Sequence, residues 1–252
     1  MLFSVVMCVH EMNPFLDDAI ISIIEQNYTH DFEFIIVANN CSDDLYEYLG
    51  KYTANNKVKL YRTIIGQLCF NLNYAINLAQ GEYIIRMDSD DVSLSNRLTI
   101  CEEHLGFDVV AFSANYIDEK NNIIGENCVG SFSIEKDLIK KNPIIHPACM
   151  IKKDMLLKIK GYSGGFQSED YDLWLRMEKV SAKFYFSNTK VLNYRISTLQ
   201  SKGALLPYCE VSGYFLREWL LTFKFKYFEG LIIALVKRSI YSFKNRKAKI
   251  ER

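Results

Sequence analysis

The stretch Gly81-Glu82-Tyr83-Ile84-Ile85-Arg86-Met87-Asp88-Ser89-Asp90-Asp91 constrains the fold more than any other. A short apolar run ends in three carboxylates within four positions. Free carboxylates do not enter a core, because burying an unpaired charge costs several kcal/mol. The run therefore reads as a buried strand whose far end opens on a crevice and faces a cation. Oxygen-only ligands suit a hard divalent ion, Mg²⁺ or Mn²⁺. An ion held by one or two carboxylates completes its shell with substrate phosphates. The plainer alternative is an acidic turn ahead of a helix over 94–105, where carboxylates favour the helix dipole. Ser93 or Ser95 could cap that helix alone, so three Asp exceed what capping needs.

The flanking pattern supplies a sheet for this strand. Apolar runs at 2–9, 32–38, 58–61 and 82–87 alternate with helical patterns at 15–26, 43–52, 68–79 and 94–105. A strand–helix alternation of this kind implies a parallel sheet with helices on both faces. Ligands of such sheets bind outside the carboxyl ends of the strands. Asn39-Asn40 and Asp88–Asp91 both fall at such ends. The second half is more mixed. It predicts a strand at 109–112, a hairpin around Lys120-Asn121-Asn122, a short helix at 134–140 and a strand at 148–151. Helices at 154–159 and 169–179 and closing strands at 183–186 and 191–194 complete it.

With 252 residues, half of them apolar, the chain can bury one large α/β core. We expect one domain over 1–205, in two halves at 1–112 and 113–205. A helical appendage follows over 206–252. Residues 217–252 hold ten Lys/Arg against three Glu, a net of +7, so the rest of this neutral chain carries −7. The seven cysteines form no Cys-x-x-Cys pair and read as reduced thiols of a cytosolic protein, without a zinc site. The first nine residues read as a buried strand rather than a signal peptide. No uncharged apolar run approaches the roughly 20 residues that span a bilayer.

A second acidic pair lies at Glu169-Asp170, delivered by the glycine loop 161–165 to the start of a helix. A carboxylate there can act as general base toward a hydroxyl. The alternative is capping, with Ser168 as N-cap and both acids in the first turn. His146 before a strand can contact phosphate or acceptor, or simply bond backbone. Arg195 can neutralise a diphosphate or sit exposed at a strand end.

Four blocks of the chain resemble glycosyltransferase family 2, inverting enzymes of the GT-A fold. The first runs from Ser4-Val5-Val6-Met7-Cys8-Val9-His10 to Ser22-Ile23-Ile24-Glu25-Gln26-Asn27-Tyr28, and the second is Phe34–Asp43. The third joins Gly81–Asp91 to Asn96-Arg97-Leu98. The fourth joins Asn142-Pro143-Ile144-Ile145-His146-Pro147 to Glu169–Arg176. The resemblance covers roughly residues 2–197 and implies a catalytic domain over 1–205, with a nucleotide-sugar half at 1–112 and an acceptor half at 113–205. It implies Asp90 as metal ligand, with Asp88 near ribose and metal. It also implies Asp170 as general base, with Glu169 orienting acceptor or loop. Val9, Glu11 and Asn39 fall where the family contacts the nucleoside. His10 and Glu11 replace a common Tyr-Asn pair, and Ala38-Asn39-Asn40 lacks the usual acids. Asn39 can still read a base edge, since its amide donates and accepts. Ser197 stands where a histidine is frequent.

The implied reaction is a single displacement from a nucleotide-sugar, with UDP-glucose or UDP-galactose as family-weighted donors. Processive members carry Gln-x-x-Arg-Trp, which is absent here. The tail interleaves Trp, Phe and Tyr with Lys and Arg, a pattern that can lie in a membrane interface or pack on the domain. On the membrane reading, the enzyme is peripheral on the inner face of the cytoplasmic membrane. Its acceptor is then a sugar on undecaprenyl diphosphate, as in O-antigen, lipopolysaccharide or capsule assembly. No nucleic-acid motif accompanies the bases. One rival reading, a nucleotidyltransferase, needs a basic glycine-rich segment early in the chain, and residues 8–20 hold no Gly, Lys or Arg. The other rival, a non-catalytic nucleotide-sugar-binding protein, is favoured by the missing acids at 38–40 and opposed by Asp88, Asp90 and Asp170.

Overall fold

A computed structural model describes residues 1–196 and 205–250, with side chains as far as Ser242. Ser197 and the basic end of the tail therefore lie outside the described side chains. The chain opens with β1 (Phe3–Val9), α1 (Leu16–Ile24), β2 (Phe32–Asn39), α2 (Asp43–Gly50), β3 (Val58–Thr63), α3 (Leu68–Leu78) and β4 (Tyr83–Met87). These strands lie parallel in the order β3-β2-β1-β4. The chain works outward from β1 to β3 and then returns to the other side of β1. That reversal makes the crevice beyond β1 and β4 a ligand site by topology.

The side-chain period of two splits the core between the two faces. Phe3, Val5 and Met7 of β1 meet α1 residues Leu16, Ile20 and Ile23, while Val6 packs on the opposite face with Leu72 and Ala75 of α3. Gly81, just before β4, has no room for a side chain, since a Cβ there would stand 2.5 Å from the Ser4 backbone nitrogen. Beneath it Glu33, buried on β2, accepts from Ser4 Oγ at 2.6 Å and pairs with Lys59 at 2.7 Å. These bonds hold its carboxyl below its ordinary range against the cost of burial.

Beyond β4 come β5 (Val92–Ser93), α4 (Arg97–Glu102), β6 (Val109–Ile117), β7 (Ile123–Asn127) and α5 (Ile134–Asp137). Next are β8 (Cys149–Lys152), α6 (Lys153–Lys158), α7 (Glu169–Lys179) and β9 (Phe184–Arg195). The sheet continues as β4-β8-β6-β9-β5, with β7 on β6. β8 is antiparallel to both its neighbours, and β9 runs parallel to β6.

Two elements differ from expectation. The two closing strands form one, β9, because register shifts against β6 near Ser113 accommodate the polar Asn188-Thr189 within a continuous strand. The helix expected from residue 94 starts at Arg97, because Val92 and Ser93 pair with Asn193 and Leu192 of β9. That pairing separates the acidic turn from α4, which removes the capping explanation for Asp88–Asp91.

The tail forms α8 (Leu205–Thr222) and α9 (Phe225–Ile250). Phe215 and Tyr227 are buried against the α7 face of the core. Ion pairs reinforce this seat: Arg217 with Asp172 at 2.8 Å, Lys179 with Glu218 at 2.8 Å, and Lys226 with Glu178 at 2.6 Å. The tail thus packs on the domain through one face while exposing Leu216, Leu220, Leu221, Phe223 and Phe225 on another. No helix among the described residues is long and apolar enough to cross a membrane.

Candidate active site

The strands β1, β2 and β4 end side by side. Val9 is buried opposite Ala38, and Asn39 follows at the end of β2, also buried, with its Oδ1 lacking a hydrogen-bond partner. Such an orphaned acceptor costs free energy unless a donor arrives. Glu11 is exposed just beyond, 3.6 Å from His10. Asn13 of the same loop donates to Ser89 Oγ at 3.2 Å, tying the β1 loop to the acidic turn. The structure therefore brings Val9, Asn39 and the acidic turn to one end of the sheet, with Glu11 in the loop just beyond β1.

The three carboxylates of that turn have different surroundings. Asp88 Oδ1 lies 2.7 Å from Arg86. Asp90 is half-buried, and burial first, then the charge of Asp88, raises its pKa above the usual carboxylate range. Asp91 is fully buried. One of its oxygens accepts from the Arg195 backbone N–H at 2.8 Å, and the other has no partner. Burial, then Asp88 and Asp90, pushes its carboxyl well up. The guanidiniums of Arg86 and Arg195 lie close, yet the raised carboxyls of Asp90 and Asp91 show that the three acids still crowd one another, a setting that an added cation fits. No group of three or more His, Cys, Asp or Glu among the described residues is arranged to hold a metal. The protein side of such a site is thus at most the pair Asp88 and Asp90, open to further ligands.

Arg195 corrects an expectation. It is fully buried, and its guanidinium donates to the carbonyls of Asp90 (2.7 Å) and Asp118 (2.6 Å) and to Asn121 Oδ1 (2.6 Å). It also stacks 3.8 Å from the Phe15 ring centroid. Rather than sitting exposed at a strand end, it clamps the backbone of the acidic turn, because carbonyls from two loops converge on the end of β9.

The second acidic pair sits at the first turn of α7. Ser168 occupies the N-cap position, but its hydroxyl makes no capping bond and donates instead to Glu210 of α8 at 2.6 Å. Asp170 is half-buried. Its Oδ2 accepts from Asn142 Nδ2 at 2.6 Å, and its Oδ1 accepts from the Tyr171 N–H at 2.7 Å. Burial first and then the Glu169 charge raise its pKa to about 7, against the opposing pull of Arg86 and these bonds. A carboxyl poised there can exchange a proton at neutral pH. His146 is also corrected. It is buried, its Nε2 is 2.6 Å from Tyr162 Oη, and burial and Arg86 push its pKa well down. That shift disfavours the charged imidazole 3.9 Å from Glu169, and burial holds the ring inside the domain rather than in an open loop.

Several residues of the site were missed in the sequence. Arg86 feels Asp88, Glu169 and Asp170 and stays firmly protonated between the two acidic centres. A lone cation inside the apolar run 83–87 was the available signal. Arg97, fully buried, donates to the carbonyls of Arg86 (3.0 Å) and Pro147 (2.6 Å). Glu210 accepts from the backbone of Phe166 (2.7 Å) and Gln167 (3.2 Å) as well as from Ser168. It thereby latches the loop that carries Asp170. Gly165 in that loop has φ +97°, a conformation that favours glycine.

Residues 4–158 match the family described as Glycosyl transferase family 2. The chain is 41% identical over 228 residues to the O-antigen biosynthesis glycosyltransferase WbnJ of Escherichia coli, covering 87% of this chain and 89% of that one. It is 25% identical over 183 residues to the UDP-Gal:alpha-D-GlcNAc-diphosphoundecaprenol beta-1,3-galactosyltransferase of Escherichia coli, covering 69% and 66%. Among solved structures, the mannosyltransferase PcManGT from Pyrobaculum calidifontis, in complex with GDP-Man and Mn²⁺, superposes with a TM-score of 0.67. The identity is 14%, and the match covers 98% of this chain and 75% of that one. That likeness shows the GT-A fold.

Proposed function

Because this chain belongs to glycosyl transferase family 2, we propose that it transfers a hexose with inversion from a nucleotide-sugar, UDP-galactose or UDP-glucose, to a GlcNAc- or GalNAc-diphosphate-undecaprenol acceptor. The product would enter a bacterial O-antigen, lipopolysaccharide or capsule repeat. The observation that carries this reading is the pairing of two acidic centres around Arg86, one crowded at the carboxyl end of β4 and one poised near neutrality at Asp170. The names of two relatives favour the acceptor and the pathway.

Each residue has a place in the reaction. Val9, Asn39 and Glu11 line the nucleoside end, where the orphaned Asn39 oxygen accepts from the base or ribose. Asp90 and Asp88 would hold Mn²⁺ or Mg²⁺, which when bound neutralises charge on the leaving diphosphate. Asp170 takes the proton of the acceptor hydroxyl as that oxygen attacks the anomeric carbon. Arg86 keeps Asp170 ionised enough to act near pH 7. Glu169 sits behind it and sets its basicity. The exposed apolar residues of α8 and the bases of the tail favour peripheral attachment to the inner face of the cytoplasmic membrane.

The test is transfer. The protein is incubated with Mn²⁺ or Mg²⁺, UDP-galactose, UDP-glucose and other nucleotide-sugars, and a GlcNAc-diphosphate-lipid, and product is read by mass. A β-linked disaccharide on the lipid is expected from an α-linked donor. Absence of product with every pair, from folded protein, overturns the reading.

A further inference from the structure

Asp170 also lies on the wall of a groove of about 790 Å³, bounded by α7, by residues 139–142 and by the tail helices α8 and α9. The groove has three chemically distinct zones. Asp170 and Asn142, already bonded to one another, provide a polar zone. Val211, Phe215, Ile233, Ala234 and Ile240 give it an apolar wall. Lys140, Lys141 and Lys237 also line it, and all three are exposed. The Lys237 ammonium donates to the Lys140 carbonyl, which brings α9 to the 139–142 segment. Lys141 is held 4.2 Å from the Phe132 ring centroid. Among the described residues, none of these three ammonium groups is paired with a carboxylate, whereas Arg217 and Lys226, which seat the tail on the domain, are.

Unpaired cations beside an apolar wall and a proton acceptor call for an amphiphile with an anionic link. A neutral soluble sugar would use only the Asp170 end. The apolar wall reaches the surface at Ile240 of α9, which lines the groove and is exposed. We propose that this groove is the acceptor site, and that Lys140, Lys141 and Lys237 grip the diphosphate of a lipid-linked sugar. The sugar then meets Asp170, and the first part of the lipid lies along α9. The inference rests on the glycosyltransferase reading for the role of Asp170, and it makes the tail helices part of the substrate site.

Binding separates the two ideas. The full chain and its K140A/K141A/K237A variant are titrated with a GlcNAc-diphosphate bearing a short alkyl chain, and with the matching alkyl glycoside that lacks the diphosphate. Circular dichroism checks the fold of both. The diphosphate compound is expected to bind the variant on the order of tenfold or more weakly, as loss of charge-assisted hydrogen bonds implies, while the alkyl glycoside binds both proteins alike. Equal affinity of the diphosphate compound for both proteins overturns the proposal, as does an equal loss for the glycoside. Lysine-dependent binding in a protein that transfers no sugar upholds the groove and overturns the catalytic reading instead.

Discussion

Arg86 and Asp88 meet at 2.7 Å on consecutive same-face positions at the end of β4, and the same guanidinium acts on Glu169 and Asp170. One cation thus serves both acidic centres. Its removal leaves partly buried carboxylates facing each other. Breaking a buried pair in this way costs about 3–5 kcal/mol, and a chain of this size loses about 2–4 °C per kcal/mol. Arg86→Met is expected to lower Tm by roughly 6–20 °C in thermal unfolding. It also moves the pH limb of activity upward, because Arg86 opposes the rise at Asp170.

The pH dependence follows from Asp170. Its working form as a base is ionised, so activity is expected to fall as pH drops through about 7, well above the ordinary carboxylate value of about 4. Asn142→Ala removes a bond to the ionised form and shifts the limb up. Glu169→Gln removes a like charge and shifts it down. The stability sign runs the other way. A raised carboxyl contributes stability that is present below its unfolded pKa and lost as pH rises through about 7. Initial rates between pH 5 and 9 check the limb.

The acidic residues are expected to separate by role. Asp170→Asn lowers kcat by about 10²–10⁴ with the fold retained, the range for a lost general base. Asp90→Asn raises the Mn²⁺ concentration needed for half-maximal rate. Asp91→Asn leaves that concentration unchanged, because Asp91 faces inward toward Arg195. Metal titrations of the three variants decide the assignment.

Glu210 ties α8 to the loop before α7 through three bonds. Glu210→Ala is expected to speed amide hydrogen exchange at Phe166 and Gln167 and to lower kcat about tenfold or more, since a charged hydrogen bond is worth about 1.5–3 kcal/mol and each ~1.4 kcal/mol is a factor of ten. Unchanged exchange at these amides refutes the latch.

Gly81→Ala is expected to destabilise without touching the site. The added Cβ meets the Ser4 backbone, which cannot swing aside, and overpacking of this kind costs about 1–3 kcal/mol. Calorimetry reads the drop in Tm.

The parallel half of the fold was legible because β1, β2 and β4 are short apolar runs between helical periods, a local signal. The positions of Asp88 and Asp90 just past a strand and of Asp170 in the first turn of a helix were legible from the same local patterns. What escaped was set by distant partners. Val92–Ser93 is too short to show a period and becomes a strand only through β9. Arg195 read as a diphosphate contact or an exposed strand end, yet its carbonyl partners lie 105 and 77 positions earlier. His146 carries no sequence mark of burial, which comes from Tyr162 and Trp174 packing around it. Glu210 sits in a tail read mainly for its bases and aromatics.

The Arg195 clamp has a consequence for a chain still leaving the ribosome. The acidic turn is translated early, but the residue that fixes its backbone follows 105 positions later. At ~5–20 residues per second that interval lasts on the order of 5–20 s. During it the nascent chain has its nucleotide-side strands but an unclamped turn, so it holds carboxylates without the shape to use them. Sugar transfer therefore begins only when synthesis has passed β9.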